Sequence, residues 1–168
     1  MAELKKYTQE YKNETVTGIA KFFNFHSGLV NGNSELDEND YLEAEKTLYK
    51  WTAPDHELYV IFGDAAPVGF IHIGYRGDTV AWIEDVYVDE NHRGMGIATE
   101  AIQIAEDMIK AKDNYTAVCL DVAPRNEAAL RLYHKLGYDS LSLVTVRKEF
   151  HGNKRNKTER ILGLDYKI

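Results

Sequence analysis

Read from its amino end, the chain alternates between two hydrophobic periods. Leu4 to Thr8 predicts a short strand, and helical spacing follows over residues 8–25 and 40–51, separated by the loop signal Asn31-Gly32-Asn33-Ser34. Glu57 to Phe62 and Val68 to Tyr75 predict two strands. The turn formers between them, Gly63-Asp64-Ala65-Ala66-Pro67, imply antiparallel pairing. Val80 to Val88 predicts a further strand that runs directly into Arg93-Gly94-Met95-Gly96-Ile97-Ala98, where a helix begins. Ile97, Ala98, Ala101, Ile102, Ala105, Met108 and Ile109 share one face of it, with Glu100, Glu106 and Asp107 for the wet side. Tyr115 to Val122 is a short apolar strand ended by Pro124. Beyond it Asn126 can cap a helix with the stripe Ala129, Leu132, Tyr133 and Leu136, and Gly137 supplies a left-handed stop. Leu141 to Lys148 and Leu162 to Ile168 predict a closing pair of strands. The fold class is α/β (α+β), with antiparallel hairpins around at least one strand–helix–strand crossover.

A length of 168 residues fits one domain, and 44% hydrophobic with 28% charged residues is a globular rather than a disordered composition. Nothing approaches the ~18 uncharged residues of a spanning helix, and no apolar stretch follows Lys5-Lys6. The expectation is a cytoplasmic protein with no membrane partner. The single cysteine, Cys119, lies in the apolar run Ala117-Val118-Cys119-Leu120 and is expected to be a buried, inert thiol. A net charge of −7 opposes attraction to a phosphate backbone, so nucleic acid is excluded and cationic small molecules are favoured. Glu35, Asp37, Glu38, Asp40, Glu43 and Glu45 concentrate that charge, whereas Arg147 to Arg160 is basic. His26, His56, His134 and His151 are not spaced with cysteine or carboxylate as metal ligands, so no metal site is expected.

The passage from strand to helix at 86–98 carries the most chemistry. At a helix N-terminus the first N–H groups lack internal acceptors and the dipole is positive, which suits an anion such as phosphate. Gly94 and Gly96 let the main chain approach phosphate oxygens where a Cβ would intrude. A Walker loop is absent from the sequence. The dinucleotide fingerprint fits poorly, because Thr stands at 99 and several strands precede the turn. Arg93-Gly94-Met95-Gly96-Ile97-Ala98 instead resembles the R-x-x-G-x-A acyl-CoA pyrophosphate loop of the GNAT superfamily of N-acetyltransferases. Asn126 to Tyr138 resembles that family's N-x-x-A-x-x-x-Y-x-x-x-G-[FY] helix.

The resemblance implies a GNAT-like, mostly antiparallel central sheet flanked by helices, and a single N-acetyltransferase domain over 1–168. It also implies direct transfer of an acetyl group from acetyl-CoA, as cosubstrate, to a primary amine. By that similarity the main chain of Val86, Tyr87 and Val88 pairs with the pantetheine arm, and Val86 N–H meets the developing oxyanion. Arg93, Gly94, Met95, Gly96, Ile97 and Ala98 hold the pyrophosphate, Asn126 also touches the cofactor, and Tyr133 is the general acid toward the thiolate. Glu84-Asp85-Val86-Tyr87-Val88 resembles diamine-acetylating members, in which the glutamate is the proposed base. Neighbours on a strand face opposite ways, so Glu84 is preferred to Asp85. The open alternatives are that Glu84 only anchors a cationic substrate or that His72 is the base.

The acceptor expected is a small polycation such as a polyamine or aminoglycoside, with the acidic 35–45 stretch in the helix pair that roofs the family's acceptor pocket. A peptide or protein amine is the competing acceptor. A non-catalytic acyl-CoA-binding module and a nucleotide-dependent oxidoreductase are the competing classes. A homodimer is the default assembly.

Overall fold

The computed structural model describes residues 1–32, 34–152 and 154–168. They form two compact units, Met1–Phe23 with Glu35–Asp121 and Asn24–Ser34 with Val122–Ile168.

The first unit is built on a five-stranded sheet in the order β1-β2-β3-β4-β5. Its strands are β1 (Ala2–Lys6), β2 (His56–Gly63), β3 (Ala66–Gly74), β4 (Val80–Val88) and β5 (Ala117–Leu120). All neighbours are antiparallel except β4 and β5, which are joined by the crossover helix α3 (Ile97–Lys110). The β2–β3 turn closes on two residues, Asp64 and Ala65, both with positive φ (49° and 68°), the twist that matches a two-residue hairpin.

The helix expected over 8–25 starts later and runs further. Gln9–Tyr11 forms a 3-10 turn, and α1 spans Lys12–Asn31, so Asn31 belongs to the helix rather than to the loop expected at 31–34. Asn33 of that loop lies outside the described residues. The second helix, α2 (Glu38–Trp51), opens on a reciprocal cap in which Asp37 and Asp40 each accept the other's backbone N–H. Much of the acidic run is thereby accounted for: two members cap a helix, while Glu43 pairs with Lys46 and Glu45 with Lys12.

Val16, Ile19, Ala20 and Phe22 of α1 and Ala44, Leu48 and Trp51 of α2 bury against Leu58, Phe70 and Tyr87 of the sheet. On α3 the buried face is Ile97, Ala101, Ile102, Ala105 and Ile109, the stripe read from the sequence less Ala98 and Met108. Glu100, expected on the wet face, instead accepts from the N–H of Ala2. Cys119 is only partly buried, contrary to expectation, because β5 is an edge strand of four residues.

A polar network ties β2 to the residues that follow β3 and α3. Glu57 accepts from Tyr59, Tyr75 and Lys112 at 3.2, 2.8 and 3.1 Å. Burial pushes the Tyr59 hydroxyl up to about 12 and Tyr75 higher still, with the Glu57 charge acting the same way. For Glu57, burial would raise the carboxyl, but the bonds from Tyr75 and Lys112 outweigh it and hold it below its ordinary 4.5. A folded-state value below the unfolded one stabilises the fold above the unfolded value and is lost as pH falls through the folded one. We therefore expect Glu57→Gln to cost about 1–2 kcal/mol at pH 7. In urea titrations that difference should shrink as pH falls below about 4.5.

In the second unit, α4 (Glu127–Lys135) is capped by Asn126, which accepts from the Ala129 N–H at 3.3 Å, and Gly137 (φ 97°) ends it. A separate hairpin follows, β6 (Thr158–Ile161) with β7 (Leu164–Lys167), turning at Leu162 (φ 51°) and Gly163 (φ 81°). The closing pair expected from 141–148 and 162–168 is therefore corrected, since the latter pairs with its own neighbour through a tight turn. The 141–148 segment is not a strand: its apolar Leu141, Leu143 and Val146 are 81%, 74% and 65% exposed. Strand propensity expresses itself only against a partner. Within the basic 147–160 segment, of which Asn153 is not described, Arg147 and Arg155 pair with Glu149, Lys157 with Glu127 and Arg160 with Asp165. No helix among the described residues is long and apolar enough to cross a membrane.

Candidate active site

The central feature of the first unit is an interrupted strand pair. Val80 to Ile83 of β4 pair with Ala117 to Leu120 of β5, and past Ile83 the β4 edge has no strand partner among the described residues. On its other side β4 stays paired with β3 as far as Val88 opposite Gly69, and Asp89 N–H donates to Val68 O at 2.8 Å. Donors alternate sides along an antiparallel strand, so with Asp89 and Tyr87 turned toward β3, the N–H groups of Val86 and Val88 point to the open edge. Arg93 Nε donates to Val88 O at 3.0 Å on that edge.

The open edge leads into an exposed turn. Gly94 (φ 77°) and Gly96 (φ 82°) both adopt left-handed backbone, and a Cβ built on either would meet nothing within 4 Å. Gly96 caps α3 with no side-chain hydrogen bond, and Glu100 N–H donates to Gly96 O at 3.0 Å. Met95 is 65% exposed, Arg93 lies at the surface, Ile97 is anchored in the core and Ala98 is partly buried. The first-turn N–H groups are thus presented without a competing side chain, which is the requirement for anion binding at a helix end. The residues fit a CoA diphosphate at the turn and an extended amide-bearing arm along the edge.

Behind the open edge, β4 carries a bulge. His72 lies opposite Asp85 but Ile73 opposite Ile83, so Glu84 is the extra residue. This overturns the expectation that Glu84 and Asp85 face opposite ways. Asp85 Oδ2 lies 2.9 Å from His72 Nδ1, and Glu84 lies against Gly74, two residues along the same face of β3. Both carboxylates therefore occupy the face covered by α1 and α2. Glu84 is bound through both oxygens by the Nε and Nη2 of Arg76. His72 is buried, stacked 4.4 Å from Trp51, and its Nε2 lies 2.9 Å from His56 Nδ1.

On the same face, at the end of β4, α1 and β3 enclose an open groove of about 310 Å³ whose lining includes Glu14, Lys21, Tyr87 and Asp89. Lys21 bonds Asp89 at 2.8 Å and holds that carboxyl below its usual range, so the two charges largely cancel.

In the second unit, Asn126 and Tyr133 lie on α4, both partly buried, and the Tyr133 and Tyr138 rings meet edge to face at 6.0 Å. Ala129, Leu132, Tyr133 and Leu136 are the partly buried stripe read from the sequence.

The GNAT acetyltransferase family model matches residues 19–138. The chain belongs to that family. As a GNAT protein it is an acetyl-CoA-dependent N-acetyltransferase. Solved structures share the fold. A transcriptional regulator from Bacillus halodurans C-125 superposes with a TM-score of 0.68 at 18% identity, covering 89% of this chain and 100% of that one. Aminoglycoside N-acetyltransferase AAC(6')-Iy, solved with CoA, gives 0.64 at 14% identity, covering 90% and 96%. A ribosomal-protein-alanine N-acetyltransferase from Brucella melitensis biovar Abortus 2308 gives 0.63 at 19% identity, covering 88% and 100%. No curated protein matches the sequence.

For this GNAT chain, the expected cofactor residues of the first unit fall on one continuous path, Val86 to Ala98. Sequence reasoning set Asp85 aside in favour of Glu84 and gave His56 and Arg76 no place beside them, whereas the structure joins Asp85 to His56 through His72 and Glu84 to Arg76. The only signal for them was that Glu84-Asp85 is a pair; the bulge that turns both to one face has no local sequence mark.

Proposed function

We propose that the protein transfers an acetyl group from acetyl-CoA to a primary amine on a small cationic molecule, a polyamine or aminoglycoside being the class considered. The observation that carries this reading is the uncapped α3 turn at Gly94 and Gly96 continuous with the open edge of β4. Two carboxylates on one face of the β4 bulge, together with the net charge of −7, favour a cationic acceptor.

In this mechanism the N–H groups of Arg93 to Ala98 hold the diphosphate, and the main chain of Val86, Tyr87 and Val88 aligns the pantetheine arm. Asn126 caps α4 and adds a polar contact to the cofactor. Val86 N–H donates to the carbonyl oxygen as negative charge builds there. Tyr133 is the acid: a phenol near pKa ~10 stays protonated at neutral pH and can give its proton to the departing sulfur. Glu84, expected from the sequence as the base, already engages both oxygens with Arg76. We assign it the anchoring role, exchanging Arg76 for an incoming cation. The 1–168 chain is read as one acetyltransferase domain, acting as a cytoplasmic homodimer.

The test is release of free CoA thiol on incubation with acetyl-CoA and a panel of polyamines, aminoglycosides and peptides. Polyamines or aminoglycosides should lead, and preference for peptide N-termini would replace the acceptor assignment. Tyr133→Phe should lower kcat about 10²–10³-fold with little change in acetyl-CoA affinity. Unchanged turnover would remove Tyr133 from the mechanism.

A further inference from the structure

An alkyl ammonium near pKa ~10.4 must lose a proton before its nitrogen can attack, so the acceptor site needs a group to take it. Of the two bulge carboxylates, only Asp85 has an oxygen left for that task. Its Oδ2 is engaged by His72, its Oδ1 has no hydrogen-bond partner among the described residues, and its side chain is 19% exposed.

The partners of Asp85 form a chain. An ionised carboxylate can only accept, so His72 Nδ1 carries the hydrogen of the 2.9 Å bond. The other ring nitrogen, Nε2, lies 2.9 Å from His56 Nδ1, so one hydrogen bond joins the two rings. His56 Nε2 is left as the outer end, 3.7 Å from the exposed Asp55. The Trp51 indole clamps the His72 ring from the α2 side. The other charges of this region are Glu84 with Arg76, which also feels Asp121. An unbroken run of bonds over three strands fixes the Asp85 carboxylate while keeping one oxygen open.

We infer that Asp85 is the carboxylate that deprotonates the acceptor ammonium, and that His72 and His56 are positioning residues that hold its orientation. The inference rests on the acetyl transfer proposed above. One N–H bond of the ammonium breaks and one O–H bond forms at Asp85 Oδ1, leaving the lone pair on nitrogen. A second proton, lost from nitrogen as the amide forms, returns through water to the phenolate left when Tyr133 protonates sulfur. Each turnover thus leaves one proton on Asp85, which returns to water once product has left.

The test compares a primary alkylamine with a fluorinated analogue whose nitrogen is already neutral at pH 7. Asp85→Asn should lower kcat for the alkylamine by about 10²–10⁴-fold and that for the analogue only a few-fold. Its affinity for acetyl-CoA, by calorimetry, should be unchanged. His72→Gln and His56→Gln should show smaller losses with the same bias, in kcat rather than KM. Because the bias compares two acceptors on one protein sample, a general loss of folding cannot produce it. Equal losses for both amines, or an Asp85→Asn variant as fast as wild type, would overturn this assignment and leave acetyl transfer standing. A wild-type protein that binds acetyl-CoA and acetylates neither amine would overturn both.

Discussion

Gly96→Val should leave a folded protein whose affinity for CoA is about 100-fold weaker. The residue sits at φ 82° at the N-cap of α3, a conformation that a β-branched side chain resists at about 1–3 kcal/mol. The protein itself leaves room for the new atoms, since nothing lies within 4 Å of a Cβ there. The obstruction therefore falls on whatever approaches the turn from outside. A hydrogen bond to a charged group is worth about 1.5–3 kcal/mol, so losing one or two N–H contacts to a diphosphate accounts for a loss of that size. Calorimetry with CoA, alongside a thermal melt, separates the two effects. A variant that binds CoA as wild type does would place the diphosphate elsewhere.

The second large effect is expected at Gly69, for the opposite reason. A Cβ there would run into the carbonyl oxygen of Tyr87, on the strand that carries the open edge. Backbone cannot step aside as a flexible side chain can, so Gly69→Ala must spread β3 from β4. We expect a loss of about 3 kcal/mol, at the upper end of overpacking effects, read from the urea midpoint. CoA affinity should fall with it, because the spread displaces Tyr87 and Val88. Wild-type stability in this variant would contradict the close approach of the two strands.

These two glycines show what was legible in the sequence. Gly94 and Gly96 stand out because a strand, a turn and an apolar helical stripe surround them, all local features. Val80–Val88 was read to the residue, and the cap at Asn126 with the stop at Gly137 was equally plain. Gly69 looks like any glycine in a strand, since its constraint comes from a strand some twenty residues away. The Asp85–His72–His56 chain is hidden for the same reason. Strict alternation would turn Asp85 away from Glu84, and only the pairing register reveals the bulge that turns both to one face. At 141–148 the failure ran the other way: a run rich in Leu, Val and Thr predicted a strand that has no partner among the described residues. The long run of α1 reflects helix continuation through His26-Ser27-Gly28, where local propensity is poor, and its late start the 3-10 turn at Gln9–Tyr11.

In the proposed reaction CoA lies along β4 and ends at the α3 turn. Titrating CoA into isotopically labelled protein and following backbone amide resonances tests this directly. The predicted result is that the largest shifts fall on Val86, Val88 and the amides of Arg93 to Ala98, saturating together. Saturable binding that leaves those amides in place while others move would contradict it.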